Sequence, residues 1–501
     1  MSNVEQRTYG NFRRPESPGL PGLGTAGTVV VFGGALVAVF LVALRIWVPF
    51  LIWLPIWLLL VALMAVKDRH GRTAGSRVAT RVSWWRARRG GTTVYRSGPL
   101  GRTDHGTYQL PGLLAATVLH EAQDAYGRPF AMLQYPQVGH YSVTMSVTPD
   151  GASLVDQSQI DAWVAGWGQW LADLGNELGV VAAQVTVETA PDSGARLRRE
   201  VSSRMREAND APELATQMLN EVMNDYPSGS SQDRAWVSVT FSGRTPSGKR
   251  RDADEMARDI GSRLATMTQS LSNATGAGAA TPVTAAELCE IVRTAYDPQA
   301  ISDFDLARDE SRDPEITWSD GVGPAAAEEH WDHYFHDGAV SRTWFMSVAP
   351  RGEVYSSVLA RLLSPHSDID RKRISLLYRP VSAGRAADTV ERDKRVSDVK
   401  VSSSKRPSAR AMGARAAAYQ TAAEEARGAG LTDFALIATA TVLDESRMTD
   451  AAVALESLSA TARLLMRPAY GSQAPAFAAG LPLGLVLPAH SRVPIEVREY
   501  L

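Results

Sequence analysis

Residues 24–66 read GTAGTVVVFGGALVAVFLVAL, then Arg45, then IWVPFLIWLPIWLLLVALMAV, and Lys67 follows. Neither Gly24–Leu44 nor Ile46–Val66 holds a charge. A helix needs roughly 20 apolar residues to cross a bilayer. Two such runs set almost end to end predict a transmembrane helical hairpin, 24–44 and 46–66. Both are apolar on every face, whereas a half-buried core helix carries an amphipathic stripe. The first run starts too late and is too long for a secretory signal, and a second follows at once. Trp47, Trp53 and Trp57, with Pro49 and Pro55, stand at or near the turn; indole rings favour the membrane–water interface, with a deeper position open to Trp57.

The flanking charges set the orientation. Arg7, Arg13 and Arg14 precede the hairpin. Lys67, Arg69, Arg72, Arg77, Arg81, Arg86, Arg88 and Arg89 follow it, against one acid, Asp68. The positive-inside rule keeps both flanks in the cytoplasm. The expectation is a multi-pass protein of the plasma membrane, with N- and C-termini cytoplasmic. Arg77, Arg81, Trp84, Trp85, Arg86, Arg88 and Arg89 form a basic, aromatic segment beside a membrane helix, which suits anionic lipid headgroups. The same composition suits nucleic acid, but adjacency to the membrane favours lipid, and direct nucleic-acid binding is not expected.

The chain has 501 residues, a net charge of −2 and one cysteine, Cys289. Removing the anchor leaves about 410 residues, enough for two or three domains. The charge balance argues against a nucleic-acid sponge. One cysteine excludes an internal disulfide and any multi-cysteine metal site.

Beyond the anchor the chain alternates strand and helix signals. Residues 1–23 read as a cytoplasmic N-terminal segment, and 67–139 as a basic juxtamembrane region followed by short strands. Tyr141, Val143, Met145 and Val147 alternate with Ser142, Thr144 and Ser146, a period-2 strand. Gln157–Leu178 has helical spacing, with Trp163, Trp167 and Trp170 as a packing stripe. Strands follow at Val180–Val187 and Ala235–Phe241. Helices are expected over Ser193–Tyr226, with a break near Ala208–Ala211, and over Asp252–Leu271 and Val283–Tyr296. Ser272–Thr281 reads as a loop. The pattern repeats with strands at Arg342–Val348, Ile374–Tyr378, Phe434–Val442 and Leu465–Arg467. Its helices are Glu353–Leu363, Ala383–Arg427 with a break at 402–407, and Thr449–Leu464. The fold class is α/β (α+β): the hairpin, then two ferredoxin-like β-α-β blocks, 140–300 and 341–501, joined by 301–340, with helices on one face of a small sheet.

No catalytic, cofactor or metal site is assigned. Gly243–Arg250 matches the phosphate loop GxxxxGK, but Arg250 stands where Ser or Thr should hold magnesium. His330, His333 and His336 offer imidazoles without an obvious fourth ligand. His120-Glu121 begins a zincin motif, yet position 124 is Asp124. Cys289, beside Leu288 and Ile291, reads as a buried small hydrophobe. The helix from Arg385 to Arg427 is mixed in charge; its sharper reading is a partner-docking face carrying Arg385, Arg392, Lys394 and Arg395.

Several stretches resemble one family: residues 6–23, Val147–Gly151 with the tryptophan-bearing helix after it, Arg293–Pro298, Arg342–Phe345 and Ala476–Gly484. The chain resembles actinobacterial membrane proteins encoded with conjugation-type, type IV secretion-like machinery. Those look like the two-helix inner-membrane subunit fused to the N-terminal, non-ATPase domain of the secretion ATPase. In plan the chain is also similar to EccE, a two-helix component of type VII secretion. The resemblance implies a non-catalytic scaffold in an oligomeric assembly, with a secretion ATPase and other membrane subunits as partners and no cofactor.

Overall fold

The apolar runs form helices α1 (Gly24–Ala43) and α2 (Trp47–Ala65), and the basic segment forms α3 (Ala74–Arg89). Thr73 caps α3 by accepting the Ser76 N–H, which satisfies one of the free amides of a helix start. A short β1 (Val94–Arg96) and the hairpin β2 (Val118–Gln123) and β3 (Pro129–Tyr135) come next. The first block comprises β4 (His140–Thr148), α4 (Gln157–Asn176), β5 (Val180–Pro191), α5 (Glu213–Asp225), β6 (Ser231–Ser242), α6 (Ala253–Ala274) and β7 (Ala279–Pro282). Helices α7 (Ala285–Tyr296) and α8 (Ala300–Asp309) lead to the hairpin β8 (Ala326–Glu329) and β9 (Tyr334–His336). The second block comprises β10 (Ala339–Val348), α9 (Ala360–Leu363), β11 (Arg371–Pro380), α10 (Ala383–Ser402), α11 (Ala409–Ala426), β12 (Thr432–Val442), α12 (Met448–Thr461) and β13 (Leu465–Pro468). A short α13 (Gln473–Ala479) follows. The computed structural model describes residues 7–12, 24–99, 101, 103–151, 154–191, 200–205, 212–225, 231–245, 247–310, 312, 315–350, 352–403 and 405–491. Arg13 and Arg14, most of the 6–23 stretch and the expected break at 208–211 lie outside the described residues.

The architecture is mixed α/β, dominated by one large antiparallel sheet of 13 strands. The first block contributes the order β7-β4-β6-β5 and the second β13-β10-β12-β11. The two meet where β5 pairs with β11, from Thr189 opposite Lys372 to Ala183 opposite Tyr378. Strand β3 pairs with the first half of β4 and β7 with the second half; β9 and β13 divide β10 in the same way.

Three local expectations differ. The sheet is large and continuous rather than small. The end of the expected loop 272–281 joins the sheet, as Ala279–Ala280–Thr281 pair with β4. The expected helix Glu353–Leu363 shrinks to α9, because Val354 exchanges two backbone hydrogen bonds of 2.8 Å with Tyr9. A β-branched residue held in an extended bridge does not join a helix.

Side-chain alternation divides the sheet's two faces. Tyr141, Val143, Met145, Val237 and Val239 point into one apolar cluster with residues of α4 and α6. Leu436, Ala438 and Ala440 pack likewise with residues of α12. The opposite face carries buried hydroxyls and amides: Ser142, Thr144, Gln184, Thr186, Ser238, Thr240, Ser375 and Thr439. Residues 479–485 cross that face as a buried strap. Thr144 and Ser238 donate to the Pro482 carbonyl at 2.7 and 2.8 Å. Thr240 donates to Gly484 and Ser375 to Gly480, at 2.7 and 2.8 Å. Gln184 donates to Ala479 and Leu481, and accepts the Gly484 N–H. Leu481, Leu483 and Leu485 fill the adjoining core. Gly484 has φ +65°, and a Cβ there would lie 2.4 Å from the Thr240 hydroxyl.

Two outcomes follow. Gln184→Leu strands the buried Ala479 carbonyl and Gly484 N–H, while the Leu481 carbonyl keeps the Leu483 N–H, and should cost at least about 2 kcal/mol in chemical unfolding of the detergent-solubilised chain. The buried His336 ring hydrogen-bonds the Tyr296 carbonyl and, at 2.7 Å, the Ser341 hydroxyl. Burial lowers its pKa to about 4, below the roughly 6.5 of an unfolded chain. The unfolded state therefore takes up the proton first as the pH falls. Stability is full above about 6.5 and declines toward 4, by about 2 kcal/mol at pH 5. Unfolding curves at pH 7 and pH 5, repeated on His336→Gln, measure this contribution.

Candidate functional site: the membrane anchor and its junction with the body

Helix α2 is long and apolar enough to cross a membrane, and the apolar stretch Gly27–Ala43 of α1 is a shorter companion of 17 residues or fewer. None of α2's residues is buried. The two helices meet at Gly34. A Cβ there would lie 2.0 Å from the Trp57 indole nitrogen, so the position admits no side chain without movement. Trp57 Nε1 donates to the Val30 carbonyl at 3.0 Å and Trp53 Nε1 to the Gly34 carbonyl at 3.3 Å. Small residues allow close approach of helices in lipid, where an indole N–H has no water partner. Trp53 and Trp57 thus turn their indole N–H groups onto the partner helix. Trp47 remains exposed at the turn, edge-on to Phe50.

Beyond α2 the chain reverses through residues 67–73. Asp68 accepts the N–H groups of His70 and Arg72 at 2.8 and 3.0 Å. Burial opposes ionisation of Asp68, but these amides outweigh it and its pKa is lowered. His70 Nδ1 lies 3.0 Å from the Ser347 hydroxyl at the end of β10. Helix α3 then presents two faces. Trp84 turns toward the body, edge-on to Trp331 at 5.3 Å. Trp331 stacks on Tyr470 and holds the Arg81 guanidinium 5.5 Å above its ring. Val78, Val82 and Trp85, at i, i+4 and i+7, are exposed on the other side. Arg77, Arg86, Arg88 and Arg89 are exposed around them, and Arg89 lies 3.8 Å over the Trp85 ring. Of the seven residues expected at headgroups, Trp84 serves the junction and Arg81 touches it. Val78 and Val82 were passed over, although the helical period carries them.

The segment before the anchor is fastened too. The Tyr9 hydroxyl donates to Asp161 of α4 at 2.8 Å. Burial, and then Asp161, raise the Tyr9 pKa. Asn11 donates to Thr421 and to the Ala417 carbonyl of α11, and Phe12 meets Phe434 of β12 edge-on at 5.8 Å. Both ends of the anchor are therefore held by one body.

The remaining candidates fall as follows. Arg385, Arg392 and Arg395 are exposed on α10. Lys394 is half-buried, paired with Glu391 at 3.4 Å and set over the Tyr419 ring of α11. The charged region forms two helices, separated at 403–408, near the break expected. In the GxxxxGK stretch the amides bond within the loop: Thr245 N–H to Lys249, Gly248 N–H to Thr245 and Arg251 N–H to Gly243. Among the described residues, these amides are turned onto the loop's own carbonyls rather than toward a phosphate. His330 and His333 stack at 4.6 Å, while His336 is buried elsewhere. Among the described residues no cluster suited to a metal ion occurs. His120 pairs with Gln134 at 2.8 Å. Cys289 is buried, and burial pushes its thiol up to about 12.

Residues 16–76 match a family described as a domain of unknown function, DUF8461. That stretch takes in α1, α2 and the turn at 67–73. A search of curated proteins finds no match to the chain.

Exposure of the Val78–Val82–Trp85 stripe predicts its depth. Because Cys289 is buried, a polarity-sensitive dye on Val82→Cys reports from one site. In vesicles containing anionic lipid its emission should shift to the blue. Replacing Arg77, Arg86, Arg88 and Arg89 with Gln should abolish most of the shift. Water-like emission in anionic vesicles would contradict the assignment.

Proposed function

We propose that this protein is a non-catalytic inner-membrane subunit of a secretion or conjugation apparatus, seated by its hairpin and presenting the α/β body to a separate ATPase. The observation that carries the reading is the double attachment of the anchor. Tyr9, Asn11 and Phe12 dock on the body before α1, and His70 and Trp84 dock on it after α2. Two ends held by one body favour a hairpin that enters and leaves the bilayer on the same side. The arginines on both flanks favour the cytoplasmic side. The multi-pass topology with cytoplasmic termini is part of this proposal.

Each block also reads as a ferredoxin-like unit. The antiparallel order β7-β4-β6-β5, and its counterpart β13-β10-β12-β11, support that reading. In both, a helical excursion separates the second strand from the third: α5 in one block, α10 and α11 in the other. Exposed Arg385, Arg392 and Arg395 on the second excursion are the proposed ATPase-docking face, with Lys394 holding the helix pair together. Helix α3, with its exposed stripe and arginines, lies against anionic headgroups.

Affinity purification of the full chain from native membranes in mild detergent, with mass spectrometry of its companions, tests the reading. A secretion ATPase and further membrane subunits should co-purify. Their identity separates a type IV-like system from an EccE-like type VII role. Reversing Arg385, Arg392 and Arg395 to Glu should lose the ATPase and retain the membrane subunits. Recovery of membrane subunits without any ATPase from unaltered protein would refute the docking role.

A further inference from the structure

Helix α5 is amphipathic, and its apolar side is uncovered. Leu214 and Met218 are 68% and 59% exposed, and Leu219 and Val222 continue the same side in the open. A helix of 13 residues is marginal in water by itself and relies on packing of its apolar face. No Lys or Arg occurs between 213 and 225, and Glu213 and Glu221 are exposed. This face suits a surface that is both apolar and basic.

Such a surface exists on the same chain, at the turn joining α10 to α11. Val399 and Met412 there are 65% and 57% exposed. Lys405, Arg406 and Arg410 are exposed around them. From Val399 to Ala423 the sequence holds no acid. The nearest one, Asp398, is engaged by Arg415 at 2.7 Å and by the Tyr419 hydroxyl at 3.0 Å. One surface thus carries apolar side chains among carboxylates, and the other apolar side chains among cations.

The two do not cover each other within a chain, where both remain exposed. The topology gives a reason. Helix α5 follows β5 and α10 follows β11, and these strands pair antiparallel. Their C-terminal ends therefore lie at opposite ends of the pair, and the two excursions leave the sheet in opposite directions. We propose that α5 of one copy seats on the α10–α11 turn of a second copy. Made one way, such a contact joins unlike surfaces and propagates into a ring or a filament; made reciprocally, it closes a two-fold dimer. This goes beyond the secretion-subunit reading, and the residues altered in its test, Glu213, Glu221, Lys405, Arg406 and Arg410, are distinct from the Arg385, Arg392 and Arg395 of the ATPase-docking face.

The test uses the full chain in detergent, measured by sedimentation at low and moderate salt. The unaltered protein should self-associate, less so as salt rises. The double variant Glu213→Lys, Glu221→Lys should associate at least tenfold more weakly. The triple variant Lys405→Glu, Arg406→Glu, Arg410→Glu should do the same. Mixing the two variants should restore association, because each then meets an opposite charge. Combining all five changes in one chain should restore it as well. Circular dichroism and melting check that the exposed substitutions leave the fold intact. A monomeric unaltered protein, unimpaired association of either variant, or absence of rescue on mixing would each overturn the proposal. None of these results needs an ATPase, so failure here is separate from failure of the docking role.

Discussion

A buried backbone carbonyl must find a donor, and the strap at 479–485 depends on that rule. It crosses the sheet face away from α4, α6 and α12, where its amides and carbonyls cannot reach water. Six side chains from four strands meet them: Ser142, Thr144, Gln184, Ser238, Thr240 and Ser375. Four belong to β4 and β6, one to β5 and one to β11. The strap therefore ties the first block to the second across the β5–β11 seam. Hydroxyls on one side of each strand and aliphatic side chains on the other are the condition for this arrangement. With Val or Leu at those positions the strap would lie on a face that leaves its polar groups unmet.

The same economy governs the anchor. Trp53 and Trp57 place their N–H groups on carbonyls of α1, so these two indoles are satisfied inside the hairpin while aliphatic side chains such as Leu51, Leu58 and Leu59 face outward. The body holds the anchor at two places, one on α4, α11 and β12, the other at Ser347 and Trp331. Two attachments restrict the tilt of the body against the hairpin more than a single linker does. Helix α3 connects the two parts with Trp84 turned inward and Trp85 outward.

Much of this was legible in the sequence, for local reasons. The two apolar runs, the period-2 strand at Tyr141–Val147, the tryptophan-bearing helix and the break near Ser403 all rest on spacing within a few turns. The large antiparallel sheet was legible only as a strand inventory. Its continuity depends on β5 meeting β11, a pairing between residues nearly 190 apart with no local signature. Ala476–Gly484 drew notice through resemblance, but its path under the sheet depends on hydroxyls hundreds of residues away. Tyr9, Asn11 and Phe12 look like an ordinary polar N-terminus until α4 and α11 are placed beside them. Composition shows Trp53 and Trp57 near a turn, but not Gly34 opposite them.

The central claim is that both ends of the anchor lie on the body's side of the membrane. Labelling of single-cysteine variants with an impermeant maleimide in intact cells tests it most directly, with buried Cys289 as a silent background. Thr8→Cys and Ser403→Cys should label only after lysis, whereas Ile46→Cys, between the two helices, should label from outside. Outside labelling of Thr8→Cys together with lysis-dependent labelling of Ser403→Cys would put the anchor's two ends on opposite sides and contradict the account.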